Sequence, residues 1–338
     1  MLANVNHALT LKEWNIARLI ILQGKRHLQI NVTEKPAGPG QELMKNLFNI
    51  LKFIFSHPLS SRNKWAALKR FVIWQGGSRI IAAPIVFPFV ASSKLIVEKG
   101  MTGATGNIYA GLHEFEDMAF TLHSLRPGDV FLDVGANIGS YTILASAVAG
   151  ASTIALEPVP STFTHLKNNV SINNIENLVT LRNSGAGARN ATFKFTRNHD
   201  TVNHVVSEGE EERDTVEVPV LTVNEICAQR IPFLIKIDVE GFEMEVLRGA
   251  SEILSNNNLQ ALIIELNGSC QRYGVKEEEI HELILGYGFQ PYQYKPFDRR
   301  LVPLTGFTYG NTLYIRNKEL VVEKLTSSPK YKVLSSVL

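Results

Sequence analysis

The chain has 338 residues, 45% of them hydrophobic, and a formal net charge of +2 at neutral pH. That is ample for a buried core, and so small a net charge gives no ground for a nucleic-acid partner or an acidic membrane surface, so any basic character has to be local. Two cysteines, Cys227 and Cys270, make neither a disulfide framework nor a metal knuckle and read as buried thiols, which suits a reducing cytoplasm.

In chain order, residues 9–28 have the pattern of an amphipathic helix, and the segment EKPAGPG at 34–40 reads as an exposed loop. Residues 41–55 and 60–74 follow as two more helices. Lys64, Lys69, Arg70 and Arg79 make this region basic, read first as a solvated helix face, with docking to a partner or an anionic lipid as the alternative. The first residues, with Asn4, His7 and Lys12 and no long apolar core, do not read as a secretory signal. The apolar stretches 80–90 and 143–151 are broken by proline or glycine and are shorter than the ~20 residues a membrane span requires, so a soluble, cytoplasmic protein without a transmembrane segment is expected.

From about Lys94 the pattern changes. Residues 95–97 read as a strand and 113–125 as a helix that stops at Arg126-Pro127-Gly128-Asp129. Short apolar runs at 130–134, 153–156, 178–182, 233–237 and 262–266 then alternate with helical patterns at 141–149, 161–172 and 242–254. Such alternation predicts an α/β fold, a mostly parallel sheet with helices on both faces. Residues 193–195 and 216–220 interrupt the rhythm as paired strands around a polar loop at 198–214. Residues 290–294 and 312–315 should close the far edge as an antiparallel pair.

Two motifs carry chemistry. Asp133-Val134-Gly135-Ala136-Asn137-Ile138-Gly139 lies where a strand turns into a helix, and its glycines permit close approach of a ligand to unpaired N–H groups. The next strand ends in Glu157-Pro158, where a doubly wound sheet places the carboxylate that accepts from both ribose hydroxyls. Asn137 stands where a dinucleotide fingerprint has its middle glycine. A side chain there crowds a diphosphate but suits a nucleoside cofactor without phosphate. Further on, Asp238-Val239-Glu240-Gly241 ends a predicted central strand, at the sheet edge where ligands bind. Glu243 and Glu245 read instead as charges favoured by a helix start.

The segments DVGANIG, LEPVPSTFTHLKNNVSINN and KIDVEGFEMEVLRGA, in that order and preceded by GLHEFEDM and LRPGDVF, resemble the FkbM-type methyltransferases, a branch of the Rossmann-like enzymes that use S-adenosylmethionine. The resemblance covers residues 101–317. It implies a class I methyltransferase fold, with residues 1–93 as a helical extension, 94–320 as the catalytic domain and 321–338 as a tail. It implies that Asp133, Gly135, Asn137 and Gly139 line the methionine part of the cofactor. Glu157 would hold the ribose, Pro158 and Val159 would lie against adenine, and Asn183 or Ser184 would reach the adenine edge. Asp238 would stand beside the sulfonium with Glu240 next to the acceptor. Where the family often has an alanine and then an acidic residue, this chain has Gly185-Ala186-Gly187-Ala188, which bears on the adenine edge and not on the fold.

Methyl transfer to a hydroxyl is a displacement governed by alignment, with a base to take the proton. Asp238, Glu240 and His204 are the candidates, His204 lying in the polar loop that could act as a lid. His113 and Glu114, ahead of the first strand of the core, could close the cofactor pocket. No third ligand stands at a telling spacing from Asp238 and Glu240, so no metal is expected. The acceptor implied is a small molecule or glycan hydroxyl, with no nucleic acid, and a homo-oligomer is left open. The competing readings are an NAD-dependent oxidoreductase, which the missing glycine disfavours, and a degenerate binding module, which the retained Asp133, Glu157 and Asp238 disfavour.

Overall fold

In a computed structural model of the chain, the described residues are 39–81, 83–197, 203–207, 210, 214–228 and 230–338. The helix expected over 9–28 lies outside them, as do most of the 34–40 loop and much of the 198–214 loop. The chain divides into two units, Met1–Ile50 and Leu51–Leu338.

Helix α1, Pro39–Ser56, agrees with expectation. The next helix does not begin at residue 60. A single turn at Pro58–Ser61 comes first, and α2 runs Lys64–Ile80 because the Asn63 side chain accepts from the Ala66 N–H and resets the start. Strands β1 (Ile85–Pro88) and β2 (Lys94–Val97) pair as a hairpin of their own, so the predicted strand at 95–97 forms outside the main sheet. Helix α3 (Thr102–Ala110) had no counterpart in the sequence reading, and α4 (Phe115–Ser124) falls within the predicted 113–125.

The core is a sheet of eight strands. β3 (Val130–Val134) pairs in parallel with β4 (Ser152–Leu156), and β4 with β5 (Val179–Arg182). The chain then leaves this edge. β6 (Gly185–Ala186), β7 (Ala191–Thr196) and β8 (Thr215–Leu221) form a separate three-stranded sheet in which β7 and β8 are the expected pair, running antiparallel. It returns as β9 (Leu234–Ile237) on the other side of β3, followed outward by β10 (Ala261–Leu266). Leu132, Val134, Ile154, Ile235, Ile237, Leu262 and Ile264 are buried, as the continuous apolar runs of a sheet covered on both faces require.

Helices α5 (Ser140–Ile143, continued by a π turn at Leu144–Val148) and α6 (Pro160–Ile172) follow β3 and β4. The predicted helix over 242–254 is two short ones, α7 (Glu243–Arg248) and a turn at Ser251–Ser255. The break has a steric cause. A Cβ on Gly249 would stand 2.0 Å from the Gly187 carbonyl oxygen, so two backbones touch here, and the Asn224 side chain accepts from the Glu252 N–H to start the second turn.

After α8 (Glu277–Gly286), β11 (Gln290–Lys295) and β13 (Gly310–Ile315) pair antiparallel as expected, with β13 also antiparallel to β10. They do not close the sheet, because β12 (Arg300–Pro303) hairpins onto β11 and forms the edge. Helix α9 (Lys318–Thr326) and a small hairpin, Lys332–Val333 with Ser336–Val337, complete the chain. Cys227 and Cys270 are buried free thiols. Among the described residues no helix is long and apolar enough to cross a membrane.

Candidate active site

Strand order reverses between β3 and β9, so the chain leaves their carboxyl ends in opposite directions and opens a crevice there. A cavity of about 240 Å³ fills it, lined among others by Glu114, Asp133, Gly135, Asn137, Glu157, Pro158, Ser184, Asp238 and Glu240. Residues far apart in sequence thus meet as the sequence reading expected. Four other candidates, Gly139, Val159, Asn183 and His204, do not line it. Gly139 abuts Leu166 of α6. Asn183 donates to the carbonyl oxygens of Glu157 (2.8 Å) and Pro158 (2.9 Å), bracing the loop after β4 rather than facing the cavity. His204 is buried with Nε2 2.9 Å from Glu210 Oε1, while its neighbours Asn203 and Val205 line the cavity.

The loop after β3 is held from β4. Gly135 and Ala136 donate backbone N–H groups to the Leu156 carbonyl, and Asn137 takes the left-handed conformation (φ 52°). Its N–H donates to Glu157 Oε2 (3.0 Å), and the Val159 N–H donates to Oε1 (2.9 Å). Glu157 is therefore fixed with each oxygen keeping lone-pair capacity for a ligand. Gly135 has φ 80°, and a Cβ there would lie 1.9 Å from the Asp238 carbonyl oxygen, so only glycine lets the two strand ends approach.

Around Lys236 the carboxylates crowd together. The residue is 3% exposed, and its ammonium lies 2.6 Å from Asp238 Oδ2 and 4.8 Å from the centre of the Tyr141 ring. Burial works against that charge, yet Asp238, Glu114 and Asp133 hold the ammonium above its ordinary range. Burial pushes the Asp133 carboxyl up to about 6 against the pull of Lys236 and of the Thr142 hydroxyl, which donates to Oδ2 at 2.6 Å. Burial also raises Glu157 to about 7, despite its two backbone donors. Glu240, itself left-handed at φ 55°, is raised to about 7 by burial and then by the Asp238 charge. Glu265, from the end of β10, is pushed well up by burial and by Asp238.

The carboxylates of Asp238, Glu240 and Glu265 offer oxygens all within 4.8 Å of one another. The third member comes from another strand, which is why no spacing in the sequence revealed it. Such a trio is a donor set for a divalent cation, but here the Lys236 ammonium already lies against it. Lys236, Tyr141 and Glu265 are among the lining residues that sequence reasoning missed. One signal was available for the first: a lysine within Leu234-Ile235-Lys236-Ile237, a buried strand that otherwise has no polar side chain. Buried polar atoms without a partner include Asp133 Oδ1, Tyr141 Oη, Ser184 Oγ and Glu265 Oε2, all on residues that line the cavity. Orphaned groups gathered at one place fit a polar ligand that would satisfy them.

Residues 133–291 match the family described as Methyltransferase FkbM domain. The chain is 30% identical over 175 residues to the hexuronic acid methyltransferase AglP of Haloferax volcanii, covering 48% of this chain and 64% of that protein. It is 30% identical over 152 residues to methyltransferase 1 of Beauveria bassiana, covering 37% and 60%. Against the 31-O-demethyl-FK506 methyltransferase FkbM of Streptomyces tacrolimicus it is 26% identical over 209 residues, covering 52% and 78%. The chain thus spans less than two thirds of the length of the first two relatives. A crystal structure of the methyltransferase FkbM from Methylobacillus flagellatus superimposes with a TM-score of 0.38 at 16% identity, covering 73% of this chain and 59% of that one.

Proposed function

From a chain that carries an FkbM-type methyltransferase domain over residues 133–291, we propose an enzyme that transfers a methyl group from S-adenosylmethionine to a hydroxyl oxygen of a sugar, glycan or related small molecule. The observation that carries this reading is one cavity into which three neighbouring strands deliver Asp133, Glu157 and Asp238, with Lys236 the one Lys or Arg among the described lining residues. An acidic crevice of this kind favours a cationic ligand with hydroxyl donors and disfavours a diphosphate. The cofactor, when bound, supplies a methyl group activated on a cationic sulfur.

Each residue then has a physical task. Asp133, with Oδ1 unpartnered, accepts from the cofactor's ammonium, and Glu157 accepts from its ribose hydroxyls. Ser184 offers its hydroxyl toward the adenine side in place of Asn183. Asp238, tied to Lys236, keeps negative charge near the sulfur. Glu240 is the base we assign for the acceptor proton, since its carboxyl, raised to about 7, is matched to that task near neutral pH. The similarity to a relative named as a hexuronic acid methyltransferase makes uronic-acid glycosides the first acceptors to try.

Titration calorimetry with S-adenosylmethionine, S-adenosylhomocysteine and NAD tests the cofactor. Micromolar binding of the adenosyl ligands, weakened about a hundredfold or more in Glu157→Ala by loss of charge-assisted hydrogen bonds, is expected. Absence of adenosyl binding to folded protein would overturn the proposal. Transfer of labelled methyl to a glycoside panel then identifies the acceptor.

A further inference from the structure

Helix α2 is apolar on two opposite sides, and among the described residues only one of them is covered. Ala67, Phe71 and Trp74 are buried against the protein, where Phe71 meets the Tyr109 ring of α3 edge-on. Arg70 and Gln75 fasten this side through hydrogen bonds to the Tyr109 carbonyl and hydroxyl. Trp65, Val72, Ile73 and Ile80 follow spacings of seven, eight and fifteen residues, which put them on a single outward stripe. Trp65 is 75% exposed, Ile73 61% and Ile80 80%. Lys69 lies within the stripe, with Lys64 and Arg79 exposed at its two ends. The helix is about 25 Å long, and Ile81 and Val86 extend the exposed apolar surface beyond it.

Charge selects the occupant. Between Glu42 and Glu98 the sequence has no Asp or Glu, while Lys45, Lys52, Arg62, Lys64, Lys69, Arg70, Arg79 and Lys94 fall in that interval, in a chain whose net charge is only +2. A second copy of the same face would bring like charges together, whereas an anionic lipid surface neutralises them. An apolar stripe carrying tryptophan and edged with lysine and arginine, on a helix unable to cross the bilayer, is the pattern of a helix lying in the membrane interface.

We propose that α2 docks this protein peripherally onto anionic lipid membranes, with Trp65, Ile73 and Ile80 inserted among the acyl chains and Lys64, Lys69 and Arg79 against the headgroups. The proposal stands independently of the methyltransferase reading. Flotation of the full chain with vesicles of phosphatidylcholine, with and without phosphatidylglycerol, tests it. Binding is expected to the phosphatidylglycerol vesicles and to weaken as salt rises. It should fall by about tenfold or more in Ile73→Glu/Ile80→Glu, and likewise in Lys64→Glu/Lys69→Glu. The substituted side chains face solvent, and an unchanged melting temperature verifies that each variant is folded. Vesicle binding unaffected by either variant would overturn the proposal. So would the absence of binding to the phosphatidylglycerol vesicles, and a dimer in light scattering that dissociates in Ile73→Glu/Ile80→Glu would then give the face to a second copy.

Discussion

Replacing Lys236 by methionine removes a cation from a site built of carboxylates while keeping the length and apolar stem of the side chain. The pair it breaks is close, 2.6 Å from Nζ to Asp238 Oδ2, with the lysine buried and the aspartate only partly exposed, and Glu114 and Asp133 also act on the ammonium. Removing one partner of a buried pair leaves the other charge uncompensated and costs about 3–5 kcal/mol. For a unit running from Leu51 to Leu338, an unfolding entropy of about 0.6 kcal/mol/K converts this to a fall in melting temperature of about 5–8 °C. Urea and thermal denaturation at pH 7 of Lys236→Met, Asp238→Asn and the double variant complete a cycle. The double variant should be more stable than the summed losses imply, with a coupling of about 2–3 kcal/mol. A loss under about 1 kcal/mol, or no coupling, would refute the assignment of Lys236 as the counter-charge of the site.

Three further outcomes follow from the same geometry. Burial raises the folded-state pKa of Asp133 to about 6 and of Glu157, Glu240 and Glu243 to about 7. These carboxyls, with Asp117 and Glu265, bind more protons in the folded chain than in the unfolded one between about pH 4 and 7; burial lowers His57, His113 and His123 and works the other way, but the raised carboxyls outnumber them, so stability should fall as pH rises through that window. Melting temperatures measured from pH 5 to 8 should decline, and a cationic adenosyl ligand should restore more at pH 8 than at pH 5. Glu240→Gln should lower kcat by about 10²–10⁴ with the affinity for S-adenosylhomocysteine nearly unchanged, whereas His204→Ala should alter kcat by no more than about threefold. The opposite order in methyl-transfer assays would return the role of base to the histidine. Gly135→Ala, which sets a Cβ 1.9 Å from the Asp238 carbonyl at φ 80°, should cost about 3 kcal/mol or more in denaturation, and a variant as stable as the parent would contradict the close approach of β3 and β9.

The parts of the fold legible in the sequence were those written locally. β3, β4, β9 and β10 are short, largely apolar runs, and charges at or near their ends meet in the cavity. What pairing in space decides was not legible. The hairpin placement of β2 and the outermost position of β12 depend on which edge is free, and the break after Arg248 depends on Gly187, which is remote in sequence. His204 has the chemistry of a base, but its Nε2 is engaged by Glu210 at 2.9 Å and its side chain does not line the cavity. Glu265 and Lys236 escaped notice because each sits inside a strand whose other residues are those of a core, and only the neighbouring strand ends give them partners.

The reversal of strand order between β3 and β9 also governs when the site comes into being. Phe131 pairs with Leu234, about 100 residues later, so closing this register is among the more entropically demanding steps of folding. Neither half of the chain owns the cavity. Asp133 and Glu157 lie before the excursion into the β6–β8 sheet, and Asp238 and Glu265 after it. During synthesis or refolding, competence to bind a cofactor therefore arrives only with this long-range closure, and recovery of binding is a clock for completion of the central sheet.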